Sequence, residues 1–273
     1  MGSSTDPLLE LHTVSLVYPG HANGPAALSE VSLIVPSGAT VAIVGTSGAG
    51  KSTLALVAAG LLQPTAGEVR HFGKILHGVP VGLPSPVQMV FQNPYSALNP
   101  RRTIRSWLEL ILARRGLRGT GHLGEYLALA GFPEARLDVL PGQLSGGECQ
   151  RACIAASLAA DGRLLILDEP VTMLDSIARQ TIIRTLENLR HTRAITYLLI
   201  THDLALAAAL CQWVHVMEQG RVVESGPVGC VFAKPVADLT RRLLHASFQG
   251  NDFRQIPEHI PHQTVTPLQP SIK

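Results

Sequence analysis

The sequence predicts an α/β fold: a buried parallel sheet, antiparallel strands ahead of it, and a helical segment inserted within it. Three observations point there. The apolar run Thr40–Val44 leads into Gly45-Thr46-Ser47-Gly48-Ala49-Gly50-Lys51-Ser52-Thr53 and then Leu54–Ala59, the order of strand, glycine-rich turn and helix. Four consecutive apolar residues, Leu164–Leu167, end on Asp168 and Glu169, as suits a parallel strand buried on both faces. From Thr103 to about Ala160 the apolar spacing is helical, with no strand-like run between.

Each element follows from local signals. Leu8–His12 and Val14–Tyr18 read as two short strands, Pro19–Pro25 as a loop, and Val31–Val35 as a third strand ending at Pro36-Ser37-Gly38. Strands separated only by turns suggest an antiparallel sheet. Glu68–Phe72 and Lys74–Leu76 form a hairpin through Gly73, and residues 78–86, rich in proline and glycine, form a loop. Val87–Phe91 reads as a buried strand ending at Gln92-Asn93-Pro94. Helices are expected over Ile104–Arg115, His122–Gly131 and about Gly146–Ala160, then over Ser176–Arg190. Ala194–Ile200 is a further buried strand that ends at Thr201-His202-Asp203. Trp213–Glu218 and Arg221–Glu224 make a hairpin through Gln219-Gly220, Val236–Ser247 is an amphipathic helix, and a flexible tail follows from Gln249.

Composition narrows the function. With 273 residues, 46% hydrophobic and 15% charged, the chain buries a substantial core. Its formal charge of +2, without a Lys/Arg block, gives a nucleic-acid partner no electrostatic support. The four cysteines, Cys149, Cys153, Cys211 and Cys230, contain no C-x-x-C pair and read as reduced thiols of a cytosolic protein. The N-terminal residues lack the basic-then-apolar pattern of a signal peptide, and the longest apolar run, Leu204–Val214, is too short to span a bilayer. His259 and His262 in the tail are too sparse for a metal site.

The Gly45–Thr53 stretch fits G-x-x-x-x-G-K-[ST]. Its glycines let backbone N–H groups of Gly45, Thr46, Ser47, Gly48, Ala49 and Gly50 line a nest for phosphate at a helix N-terminus. Lys51 reaches the β- and γ-phosphates, and the Ser52 hydroxyl suits Mg²⁺, with Thr53 beside it. Asp168 suits Mg²⁺ through water, and Glu169 suits the polarisation of an attacking water. Gln92 and His202 end strands on the same sheet edge, where ligands of α/β sheets are met; either is also an ordinary polar strand end. Tyr18 ends its strand just before a loop and suits either a purine ring or a half-buried sheet position.

The segment Leu144-Ser145-Gly146-Gly147-Glu148-Cys149-Gln150-Arg151 adds the distinguishing motif. Taken with the phosphate loop, Gln92, Asp175 in Met173-Leu174-Asp175, and His202, the chain resembles the nucleotide-binding subunit of an ATP-binding cassette (ABC) transporter over residues 8 to about 247. The resemblance implies a P-loop NTPase with a RecA-like parallel-sheet core, an N-terminal antiparallel β subdomain and an α-helical subdomain inserted at 93–160. The ATPase domain would span 1–247 and the tail 248–273. It implies ATP and Mg²⁺ as ligands, Glu169 as catalytic base, His202 as γ-phosphate sensor, Gln92 as link to the membrane subunit and Tyr18 as adenine stacker. Ser145, Gly146 and Gly147 would cap the γ-phosphate held by the opposite subunit, and Asp175 would transmit the state of one site across the interface. The partners implied are a second ABC ATPase subunit, identical or paralogous, two transmembrane permease subunits and, indirectly, an extracytoplasmic substrate-binding protein. The place implied is the cytoplasmic face of the bacterial inner membrane.

Within the family, Met89–Arg101 is similar to the oligopeptide, dipeptide and nickel importers. Glu148 stands where a glutamine is commoner, as in the nickel-import branch. The alternative, a soluble ABC ATPase acting on nucleic acid or the ribosome, calls for long heptads, tandem cassettes or a basic face, and the sequence has none of them.

Overall fold

The computed structural model describes residues 7–19, 25–78, 85–117 and 122–247. The chain begins with β1 (Pro7–Leu16) and β2 (Leu28–Pro36), enters β3 (Thr40–Gly45), turns into α1 (Lys51–Ala58) and returns as β4 (Ala66–His71) and β5 (Lys74–Ile75). After β6 (Val87–Val90) come α2 (Ile104–Arg114), α3 (Leu123–Ala130) and α4 (Gly146–Ala159). Then follow β7 (Leu164–Asp168), α5 (Ser176–Arg193), β8 (Thr196–Ile200), α6 (Leu204–Leu210), β9 (Trp213–Glu218), β10 (Arg221–Pro227), α7 (Val228–Ala233) and α8 (Asp238–Ser247).

Two sheets result. One is antiparallel, in the order β2-β1-β4-β5; the other runs β10-β9-β3-β8-β7-β6 and is parallel throughout except for its β10 edge. The parallel strands carry near-continuous apolar runs because both faces are covered. Alternation on β3 divides the core: Val41 and Ile43 join a cluster with β1, β2 and α1, while Ala42 and Val44 join one with α4 and α6. The same division runs through β7, where Leu164 and Ile166 face one cluster and Leu165 and Leu167 the other. α2 and α3 stack on α4 through Leu108, Leu112 and Leu127, which extends the second cluster beyond the sheet.

Several expectations are corrected. The two N-terminal strands are one, because Thr13 takes a left-handed conformation (φ 47°) and forms a bulge that keeps pairing with β2 intact on both sides. Val87–Val90 is an edge strand paired only to β7, so Gln88 and Met89 are half exposed rather than buried. Ala194 is no strand residue: at φ 48° it caps α5, which runs three residues past Arg190 to Arg193. The apolar stretch from Leu204 forms α6 before β9, and Val228–Ala233 forms α7; neither helix was anticipated. The expected tail, with His259 and His262, and most of the 78–86 loop lie outside the described residues.

Candidate functional site

The site lies at the C-terminal edge of the parallel sheet, where β3, β7 and β8 end side by side. The loop after β3 is shaped by close backbone contacts. A Cβ on Gly45 would lie 2.3 Å from the Met217 carbonyl oxygen, and one on Gly50 would lie 2.5 Å from that of Ala27. Gly50 also sits at φ 96° as the N-cap of α1 and contributes no side-chain cap, so the helix opens with unclaimed N–H donors. Lys51 Nζ donates to the Gly45 and Thr46 carbonyls at 3.0 and 2.9 Å, arching over the loop. Burial lowers its pKa, while the fields of Glu169 and Asp168 oppose that shift and favour the ammonium.

Ser52 Oγ donates to Asp168 Oδ1 at 3.3 Å. Asp168 ends β7 almost fully buried, and burial raises its carboxyl above the usual range, with the Ser52 bond acting against it. A buried carboxylate beside a hydroxyl, both hard oxygen donors, fits a divalent cation that would offset that desolvation. Gln92, exposed at the end of β6, lines the same cleft. Among the described residues no group of three or more His, Cys, Asp or Glu side chains could hold a metal.

Glu169 follows at φ 49°, a left-handed conformation uncommon for a residue with a side chain. Its N–H donates to the Ile200 carbonyl at 2.9 Å, and the Thr201 N–H donates to the Ile43 carbonyl at 3.1 Å, so the ends of β7, β8 and β3 are laced together. The carboxylate meets His202 Nδ1 at 2.7 Å and accepts from Thr172 Oγ1 at 2.5 Å. Both pairings were missed from the sequence; only the shared sheet edge hinted at the first.

The phosphate-loop residues, Gln92, Glu169 and His202 line an open cleft of about 1380 Å³ together with Ala26, Ala27 and Arg221, while Asp168 lies just behind it, reached through Ser52. Ala49 lies buried beneath it, and Tyr18, outside the lining but exposed, bonds Thr53 Oγ1 through its hydroxyl at 3.1 Å.

Ser145, Gly146, Gly147, Glu148 and Asp175 are brought together elsewhere. Ser145 caps α4, its Oγ accepting from the Glu148 N–H at 3.3 Å, while Glu148 accepts from the Ser145 N–H and hydroxyl at 2.8 and 2.9 Å. The Ser145 N–H is the main cause that holds the Glu148 carboxyl below its ordinary range. Asp175 caps α5, accepting from the N–H groups of Ile177 and Ala178. A Cβ on Gly147 would lie 2.8 Å from that of Ala178, so the two helix N-termini meet. None of these five residues lines the phosphate-loop cleft.

Comparison with known proteins agrees with this fold. The sequence model of the family described as "ABC transporter" matches residues 28–172. The nickel import ATP-binding protein NikE of Escherichia coli (strain K12) is 39% identical over 220 residues, 78% of this chain and 82% of that protein; NikE of Shigella boydii gives the same figures. Among solved structures, the dimeric post-hydrolysis state of the ATP-binding cassette MJ0796 with ADP and Pi superposes with a TM-score of 0.72 at 27% identity, covering 81% of this chain and 98% of that one. The Clostridium perfringens protein cbiO1, part of the ABC transporter complex cbiONQ, gives 0.71 at 25% identity over 89% of this chain and 96% of that one.

Proposed function

The chain belongs to the ABC transporter ATP-binding family, and we propose that it is the ATPase subunit of a bacterial importer for nickel, a metal chelate or peptides. That it is an ATPase driving transport follows from the family; the cargo rests on likeness to nickel import proteins. The observation that carries the reading is the convergence of Lys51, Ser52, Asp168, Glu169 and His202 on one sheet edge.

The chemistry follows from the positions. The loop N–H groups and α1 N-terminus bind the phosphates of ATP, and the Lys51 ammonium balances their charge. Ser52 and Asp168 would hold Mg²⁺, with Gln92 beside them, and the ion would supply positive charge against the phosphates. Glu169 takes a proton from the attacking water, and His202 holds one of its oxygens.

We assign Ser145, Gly146 and Gly147 to the nucleotide of a second cassette, because they lie outside their own chain's cleft and the likeness to a dimeric cassette supplies a partner. Asp175 joins that interface, Tyr18 serves the base of ATP, and residues 93–160 form the inserted helical unit that meets the permeases near Gln92. In this reading the chain sits at the cytoplasmic face of the membrane against two permease subunits, with an external receptor as an indirect partner. No helix among the described residues is long and apolar enough to cross a membrane.

Glu169→Gln tests the base. It keeps the shape but removes the proton acceptor, so steady-state ATP hydrolysis falls by about 10²–10⁴-fold, while ATP affinity stays within about threefold (roughly 0.7 kcal/mol). Hydrolysis at the parent rate would overturn the assignment.

A further inference from the structure

We propose that Thr172 is a positioning residue for ATP hydrolysis: its hydroxyl sets the carboxylate of Glu169 in the orientation that receives the proton of the attacking water. The proposal rests on the reading of Glu169 as general base. In that step the water's proton passes to a Glu169 oxygen, its oxygen bonds to the γ-phosphorus, and the bond to the bridging oxygen breaks with its electron pair leaving on ADP.

Three observations carry it. First, the two carboxylate oxygens have separate partners: Oε2 accepts from Thr172 Oγ1 at 2.5 Å and Oε1 meets His202 Nδ1 at 2.7 Å. One contact leaves a carboxylate free to swing about it; two fix its plane. Second, the backbone of Glu169 is already fixed, at φ 49° with its N–H on the Ile200 carbonyl, so only its side-chain torsions remain to be set. Third, Thr172 is tied to Glu169 by its own turn, its N–H donating to the Glu169 carbonyl at 3.3 Å. The hydroxyl therefore moves with the base, whereas His202 belongs to the end of β8.

Thr172 has no packing role that would explain it otherwise. It is exposed and belongs to neither apolar cluster. A misplacement of about 1 Å in a reacting group can cost about 100-fold in rate.

The test uses the full chain, with steady-state ATP hydrolysis and separate nucleotide affinity. Thr172→Val keeps the branched shape and removes the hydroxyl; kcat falls about 10- to 100-fold, KM stays within about twofold, and thermal stability is unchanged. Thr172→Ser restores kcat to within about twofold of the parent, a rescue that a steric role does not give. In the Glu169→Gln background, Thr172→Val adds no further loss, because the group it orients is gone. An unchanged kcat in Thr172→Val, failure of Thr172→Ser to rescue, or an equal further loss in the Glu169→Gln background would each overturn the role. Parent activity in Glu169→Gln alone is a different result, which removes the base and this role with it.

Discussion

Two helices in this chain begin with glycines and could each receive an anion, yet they are prepared differently. α1 opens at Gly50 with no side-chain cap and no acid in its first turn, followed by Lys51, Ser52 and Thr53. α4 opens at Ser145 with a complete capping box, and its first turn carries Glu148, which Arg136 approaches at 3.3 Å. The first leaves its donors for a ligand and supplies a cation beside them. The second is satisfied within the isolated chain, so a phosphate arriving there competes with Glu148 for the Ser145 hydroxyl while finding the N–H groups of Gly146 and Gly147 outside the box. On the proposed reading, one start is a site in its own right and the other completes a site presented to it.

The sharpest way to break this contrast is Lys51→Ala. It removes one or two charge-assisted hydrogen bonds, at about 1.5–3 kcal/mol each, and is expected to weaken ATP binding by 10-fold or more in an equilibrium titration. Unchanged affinity would deny α1 its role. Ser145→Ala should act on the other start in the opposite sense: ATP affinity of the chain's own cleft is unchanged, hydrolysis falls, and loss of the cap costs about 1 kcal/mol in a denaturation curve. If it weakened ATP binding as Lys51→Ala does, the two starts would not differ.

A further effect, on folding and not on turnover, sets the pH window in which the contrast can be measured. His215 on β9 is buried, bonds Ser225 Oγ at 2.7 Å through Nδ1 and leaves Nε2 without a partner. Burial pulls its pKa down to about 4. The folded chain thus keeps it neutral while the unfolded chain protonates it near 6.5, so its contribution is full above that value and is lost as pH falls towards 4, by up to about 3 kcal/mol. Unfolding curves between pH 7 and 4 should show this decline, flattened in His215→Leu. A decline of equal size in that variant would place the titration elsewhere.

Much of the site was legible because its signals are local. The glycines, Lys51 and Ser52 lie in one stretch between a strand and a helix, and the carboxylates end an apolar run, so residue order alone put them on one edge. The capping box of Ser145 with Glu148 at the start of α4 is a finding of the structure. What could not be read depends on neighbours distant in sequence. β8 lies between β3 and β7, which only the folded sheet reveals, and this insertion is what sets His202 against Glu169. The left-handed turn at Glu169 carries no glycine to announce it, so the Thr172 contact was equally hidden. The bulge at Thr13 and the short helices α6 and α7 were missed for a related reason, since pairing and packing override weak local preference.

The central claim is that each chain holds ATP at its own α1 and lends its α4 start to another. Lys51→Ala and Ser145→Ala chains, each poor in hydrolysis alone, should be mixed in equal amounts and their ATP turnover measured. In mixed pairs the intact loop of one chain faces the intact Ser145 of the other, so the account predicts turnover well above that of either variant. A mixture that merely averages the two, or a monomeric Ser145→Ala chain that hydrolyses ATP at the parent rate, would contradict it.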